Sequence, residues 1–202
     1  MDAELEGRLR ELLDKQEIRE VILRYARAQE RRDARLLASV FHDDAIYEHF
    51  ELPPQRGSDA IAALTAKAWA GSPLKTKGLT IPNTVTEVEG DVAFSESHGL
   101  SLNPVEQEGE RFDYLRSLRF LDRLERRDGV WKIAHRLVLH GGYERWEPGA
   151  PAPFAAAASP ELRSAYHPDD LSYRIRERLR PEAVADRTTA EKPIYAQEPD
   201  TA

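Results

Sequence analysis

The chain has 202 residues, no cysteine and a formal net charge of −7, from 36 acidic against 29 basic side chains. That length suits one domain with an appended tail, and it can bury a core without disulfides or a structural metal. The missing cysteines exclude thiolate nucleophiles and cysteine-held zinc or iron–sulfur sites, and the acidic excess argues against binding a phosphate backbone.

Residues 4–30 read as a helix, because Leu12, Leu13, Ile18, Val21, Ile22, Tyr25 and Ala26 recur at three- and four-residue spacing. The amino-terminal stretch is too charged for a signal peptide, and no apolar run is long enough to span a bilayer. A soluble, cytoplasmic protein without membrane or nucleic-acid partners is expected. A second short helix starts near Asp33, which can cap it, and turns Leu36, Leu37 and Val40 inward. His42-Asp43-Asp44 then reads as a turn into a strand from Ala45 to Glu51, stopped by Pro53-Pro54. Ser58 or Asp59 caps a third helix reaching about Trp69.

From there the period changes from 3.6 to 2, over residues 80–89, 92–102, 111–125 and 130–140. Glu89-Gly90-Asp91 and Arg127-Asp128-Gly129 have the chemistry of hairpin turns. Three helices followed by long hairpins define an α+β chain, a curved antiparallel sheet packed on amino-terminal helices around one pocket. Residues 1–148 form this domain. Residues 149–180 read as an extension that docks on the domain or on a partner, and 181–202 as a disordered tail.

The segments Tyr25…Glu30-Arg31-Arg32-Asp33…Phe41-His42-Asp43-Asp44-Ala45 and Leu124-Glu125-Arg126-Arg127-Asp128-Gly129-Val130-Trp131-Lys132-Ile133-Ala134-His135-Arg136 resemble the SnoaL-like branch of the nuclear-transport-factor-2-like superfamily. The resemblance covers roughly residues 10–145. Scytalone dehydratase and hexachlorocyclohexane dehydrochlorinase are two of its enzymes, and the superfamily also holds isomerases, polyketide cyclases, oxygenase small subunits and binding modules. By position the resemblance makes Glu30 the carboxylate that supports a histidine base, and Arg136 the arginine that assists the leaving group. It makes Tyr47 and Tyr25 pocket aromatics. The histidine itself should fall near Leu79 or Thr80, where this sequence has none.

Strand alternation offers replacements. In 92–102, Val92, Phe94, Glu96, His98 and Leu100 share a face, and their bulk marks it as inward. In the first strand, Tyr47 and His49 share a face with Glu51. In the third hairpin strand, Phe112, Tyr114, Arg116, Leu118, Phe120 and Asp122 share one, as Ala134, Arg136, Val138 and His140 do in the last. An imidazole beside a carboxylate gives a proton acceptor near neutral pH, and arginine or tyrosine can then steady an oxyanion. The catalytic set is therefore His98 or His49 as base, with Glu30 or Glu96 orienting it, and Tyr25, Tyr47 and Arg136 as donors. Glu96, Tyr114, Arg116, Leu118, Phe120 and Trp69 are expected to hold substrate. No metal or cofactor motif is present.

These residues point to a cofactor-independent lyase. It would abstract a proton from a small hydrophobic, aromatic or polycyclic substrate and expel water, halide or a carbonyl fragment. A double-bond isomerase or polyketide-type cyclase would use the same proton transfer, and a non-catalytic ligand-binding or oxygenase-partner module is the alternative from another class. A homo-oligomer, dimer or trimer, is also expected, because 130–140 is apolar on both faces: Trp131, Ile133, Leu137 and Leu139 on one, Ala134 and Val138 on the other.

Overall fold

The computed structural model describes residues 2–72, 78–149 and 166–173. The chain divides into two compact units, residues 1–149 and 150–202. In the first, α1 (Ala3–Arg31) is capped by the Asp2 carboxylate and ends where Arg32 adopts a left-handed conformation. Its inner stripe, Ile18, Val21, Ile22 and Tyr25, is buried, whereas Leu12 and Leu13 are exposed. The expected apolar stripe therefore starts too early. The first inward side chain is Asp14, whose carboxylate accepts hydrogen bonds from Trp131 Nε1 (2.9 Å) and Arg126 Nη1 (2.7 Å). A buried carboxylate is tolerated there because both donors are aimed at it.

Helix α2 (Ala34–Ser39) starts as expected, with the Asp33 carboxylate accepting from the Leu36 N–H at 2.9 Å. Strand β1 (Phe41–His49) begins earlier than expected, so His42 and Asp44 lie within it and not in a turn. Partners on the opposite edge hold them extended: His42 Nε2 bonds Glu125 O at 2.9 Å, and Asp44 accepts from Arg127. After the short β2 (Gln55–Arg56), α3 (Ser58–Ala70) is preceded by Gly57 and has no side-chain cap. Ser58, expected as that cap, instead directs its hydroxyl to Asp43.

Strands β3 (Gly78–Glu89), β4 (Val92–Gln107), β5 (Glu110–Arg127) and β6 (Val130–Pro148) form consecutive hairpins. The turns fall where the sequence puts them, with Gly90, Asp128 and Gly129 at positive φ. The last three strands overrun their expected limits. A further turn at Glu108-Gly109 and aromatic pairs such as Tyr114–Trp146, 5.3 Å between ring centroids, extend the hairpins.

The six strands run in the order β2-β1-β6-β5-β4-β3 in a curved, unclosed sheet. Neighbours are antiparallel except β1 and β6, which are parallel. The fold is the expected α+β arrangement with helices on one face of the sheet. In β6 the register slips at Ala134, since Leu124 opposes Ile133 but Arg123 opposes His135. This bulge changes the strand's phase. Trp131 and Ile133 thereby join Ala134, Arg136 and Val138 in the interior. They do not share the outer face with Leu137 and Leu139, as a regular strand would require.

In β4 the phase is the reverse of the expected one. Ala93, Ser95, Ser97 and Gly99 are buried, and Phe94, Glu96, His98 and Leu100 face outward. The inner face has no room for larger groups. A Cβ on Gly99 would stand 2.8 Å from the Phe120 ring and 3.3 Å from Leu79.

Of the second unit only residues 166–173 are described. They form a turn and a short 3-10 segment (Leu171–Tyr173), with the Asp170 carboxylate accepting from the Ser172 N–H at 3.0 Å. The rest of the expected extension and tail lies outside the described residues.

Candidate active site

Between the helices and the inner face of the sheet lies a cavity of about 200 Å³. Tyr25 and Gln29 of α1 and Thr65, Ala68 and Trp69 of α3 form one wall. Leu79, Ser101, Leu118, Phe120 and Val138 of the sheet form the other. Tyr47 of β1 is buried beside Tyr25, and His49, Glu51, Leu52, Arg32 and Arg116 complete the lining. Of the expected site, Tyr25, Tyr47, His49, Trp69, Arg116, Leu118 and Phe120 therefore converge here.

The hydroxyls of Tyr25 and Tyr47 are 3.5 Å apart, long for a bond between two hydroxyls. Burial, and then the neighbouring Tyr25, push the Tyr47 phenol well above its ordinary pKa, with Arg136 pulling weakly the other way. Tyr47 therefore stays protonated and serves as a donor. The indole N–H of Trp69 donates to Gln29 Oε1 at 3.2 Å, fixing the ring across the helix pair.

Arg136 lies one layer beneath the cavity lining. Its side chain and that of Asp122 are both 0% exposed, joined by two bonds of 2.7 and 2.6 Å. Its guanidinium sits 3.9 Å from the Tyr25 ring centroid and 4.9 Å from that of Phe120. Burial alone would lower the Arg136 pKa, but the charge and hydrogen bonds of Asp122 outweigh this and raise it. Arg136 thus holds a permanent cation under Tyr25 and does not itself line the cavity, a correction to its expected role as a direct donor. Alternation put Asp122 on the face of Phe120, but it was not expected in the site, although it stands opposite Arg136 in the ladder.

Glu30 also differs from its expected role. Its Oε1 accepts from the Leu79 backbone N–H at 2.9 Å. The carboxylate thus reaches the position where the resemblance places a histidine, and there it fastens the start of β3.

His98 and Glu96 are not in the cavity. They lie on the outer face of the sheet in a broad trough with Asn83, Val85, Phe94, Leu121, Arg123, His135 and Leu137. His98 Nδ1 is 2.9 Å from Asn83 Nδ2, and Glu96 lies 3.9 Å from both His98 and Arg119. This trough is the larger concavity, but it is open to water and its ionic contacts are long, so it offers little electrostatic leverage. Tyr114 is likewise displaced, packed on Trp146 in the outer part of the hairpin and flanked by the Arg116 guanidinium.

Other residues missed in the sequence are Gln29, Thr65, Ser101 and Glu51. Gln29 was within reach of helical periodicity, one turn beyond Tyr25. Ser101 shares the parity of Gly99 and was excluded only by the reversed phase of β4. Among the described residues no group of three or more His, Asp or Glu side chains could hold a metal ion, and no helix is long and apolar enough to cross a membrane.

A helix-covered sheet around an aromatic-walled cavity places the chain in the α+β class. The chain belongs to the SnoaL-like domain family, whose model matches residues 10–137. Among solved structures it is similar to a type 2 hexachlorocyclohexane dehydrochlorinase (LinA), with 21% identity and a TM-score of 0.63 over 75% of this chain and 97% of that one. It is also similar to an NTF2-like protein with a cystatin-like fold from Novosphingobium aromaticivorans, with 24% identity and a TM-score of 0.58 over 78% and 98%. A candidate scytalone dehydratase from the same organism matches at 17% identity and a TM-score of 0.57 over 70% and 91%. No curated protein sequence matches the chain.

Proposed function

We propose that the chain is a cofactor-independent lyase that removes a proton from a small hydrophobic substrate and expels water, halide or a carbonyl fragment. The observation that carries this reading is the convergence of Tyr25, Tyr47 and His49 on one aromatic-walled cavity. The cavity is smaller than the ~300–1,000 Å³ of most ligand sites, which favours a substrate of one or two rings. Tyr25 and Tyr47 are spaced so that one substrate oxygen can receive both hydroxyls. The Arg136–Asp122 pair beneath Tyr25 is neutral overall and brings its guanidinium end to 3.9 Å from the Tyr25 ring centroid. The dehydrochlorinase likeness is consistent with an elimination, and the same proton transfer without a leaving group would be an isomerase.

The test uses 3-hydroxy-1-tetralone, a bicyclic β-hydroxy ketone that becomes 1-naphthol on losing water. Protein-dependent naphthol fluorescence is expected. Exchange of the ketone's α-protons with solvent but no naphthol would favour the isomerase. Binding of the ketone with neither reaction would favour the binding module and overturn the lyase. We also propose that the protein self-associates through its outer sheet face.

A further inference from the structure

His49 is the one histidine among the described residues lining the cavity, and a backbone group faces one of its ring nitrogens. The N–H of Glu51 points at His49 Nδ1 across 3.0 Å. An amide N–H can only donate, so Nδ1 must present its lone pair, and the neutral ring carries its hydrogen on Nε2. Taking up a proton at Nδ1 would require giving up the Glu51 bond. The Phe50 ring stacks on the imidazole at 4.6 Å between centroids and that of Tyr47 lies parallel at 6.0 Å, which holds its plane. His49 is thus arranged to give a hydrogen bond through Nε2.

Something else must then accept the proton, and one carboxylate stands among the described lining residues: Glu51. Its Oε1 receives Arg116 Nη1 at 2.8 Å. The Arg116 side chain is only 15% exposed, and its Nε is buried without a partner. The arginine is kept in place by the Phe50 and Tyr114 rings, 5.3 and 5.5 Å from its guanidinium carbon. It anchors Glu51 by one oxygen, leaving the second oxygen to act.

We infer that Glu51 is the proton acceptor and His49 a neutral hydrogen-bond donor, which inverts the usual pairing of an imidazole base with a supporting carboxylate. The inference rests on the lyase reading above. In the dehydration of a β-hydroxy ketone, the α-carbon–hydrogen bond breaks and its proton passes to Glu51. The electron pair moves onto the carbonyl oxygen, which accepts hydrogen bonds from His49 Nε2–H and Tyr47. When the enolate collapses, the bond to the β-hydroxyl breaks and the proton on Glu51 passes to the departing oxygen. Water leaves, and Glu51 is ionised again.

Two measurements on the full chain test this. Nitrogen NMR of 15N-histidine-labelled protein at mildly alkaline pH, with His49→Gln to assign the signals, needs no substrate. It should show a pyridine-type Nδ1 and a pyrrole-type Nε2 at His49, and the opposite tautomer would overturn the donor role. The second follows deuterium uptake at the α-carbon of 1-tetralone, which cannot eliminate water. Glu51→Gln should slow it by about 10²–10⁴-fold, the share of a general base, with Glu51→Asp restoring part. The acid limb of the wild-type rate should vanish in Glu51→Gln. An acid limb unmoved in Glu51→Gln would overturn the acceptor. If wild-type protein exchanges nothing, the lyase reading fails and takes the acceptor with it, while the tautomer result stands independently.

Discussion

The two faces of the sheet are built from the same strands and similar residue types, yet they hold their polar groups in opposite ways. On the inner face, helices cover the strands, and buried groups such as Asp122 and Gln29 meet designated partners, Arg136 and Trp69. On the outer face, His98, Glu96, Arg119 and Arg123 sit in water among exposed apolar side chains such as Val85, Phe94 and Leu102. Low local dielectric makes the inner contacts expensive to disturb, whereas solvent screens the outer ones. A histidine beside a carboxylate therefore means different things on the two faces.

Arg136→Met offers the strongest way to break the inner face. It leaves the Asp122 charge buried and alone, a loss of about 3–5 kcal/mol, visible as a large fall in the urea midpoint. The double variant with Asp122→Leu should recover much of that, because two apolar groups leave no orphan charge. Gly99→Val comes next. Its side chain must push Phe120 aside, at a cost of about 1–3 kcal/mol for overpacking, and calorimetry should show the lowered Tm. A valine at Ser101 would test cavity closure separately, by weakening 1-tetralone binding more than stability.

A pH effect of intermediate size is expected at the edge between the faces. Burial above all, and then the Arg127 and Lys132 cations, lower the pKa of His42, with Asp44 and Asp43 opposing. The fold prefers the neutral ring while the unfolded chain protonates it near ~6.5. Stability is thus full above about 6.5 and is lost as pH falls through the lowered native value. Thermal scans from about pH 7.5 to about pH 5 should show a shallower loss in His42→Gln than in wild type.

On the outer face, Phe94→Glu should leave the fold intact while shifting the light-scattering mass toward the 22.9 kDa of one chain. A wild-type protein already at that mass would remove the self-association proposal. The smallest effect is expected for His98→Ala, within about 0.5 kcal/mol for a surface substitution and without change in 1-tetralone exchange. A collapse of exchange in that variant would return the base to the outer face and undo the contrast between the two faces.

Much of the architecture was readable before any coordinates. Apolar spacing marked α1 and α3, Asp33 marked the start of α2, and Gly90 and Asp128-Gly129 marked two hairpins, because these signals are local and act through backbone sterics and capping. The aromatic lining at Tyr25, Tyr47, Trp69 and Phe120 followed from the same periodicities together with the family resemblance. What failed were the inferences about which side of β4 was crowded and about the phase of β6. Bulk was read as inward in β4, but the helices and Phe120 leave space only for Ala93, Ser95, Ser97 and Gly99. The bulge at Ala134 could not be foreseen either, and it alone decides that Trp131 and Ile133 join Arg136 in the interior. Pairings across the sheet and along the mouth, Asp122 with Arg136, Glu30 with the Leu79 N–H, and the Glu51 N–H with His49, arise from ladder register and loop path. The sequence determined which elements form and most of what lines the cavity. Tertiary structure alone decided which histidine faces it, because a strand's period of two fixes alternation but leaves open which face is covered.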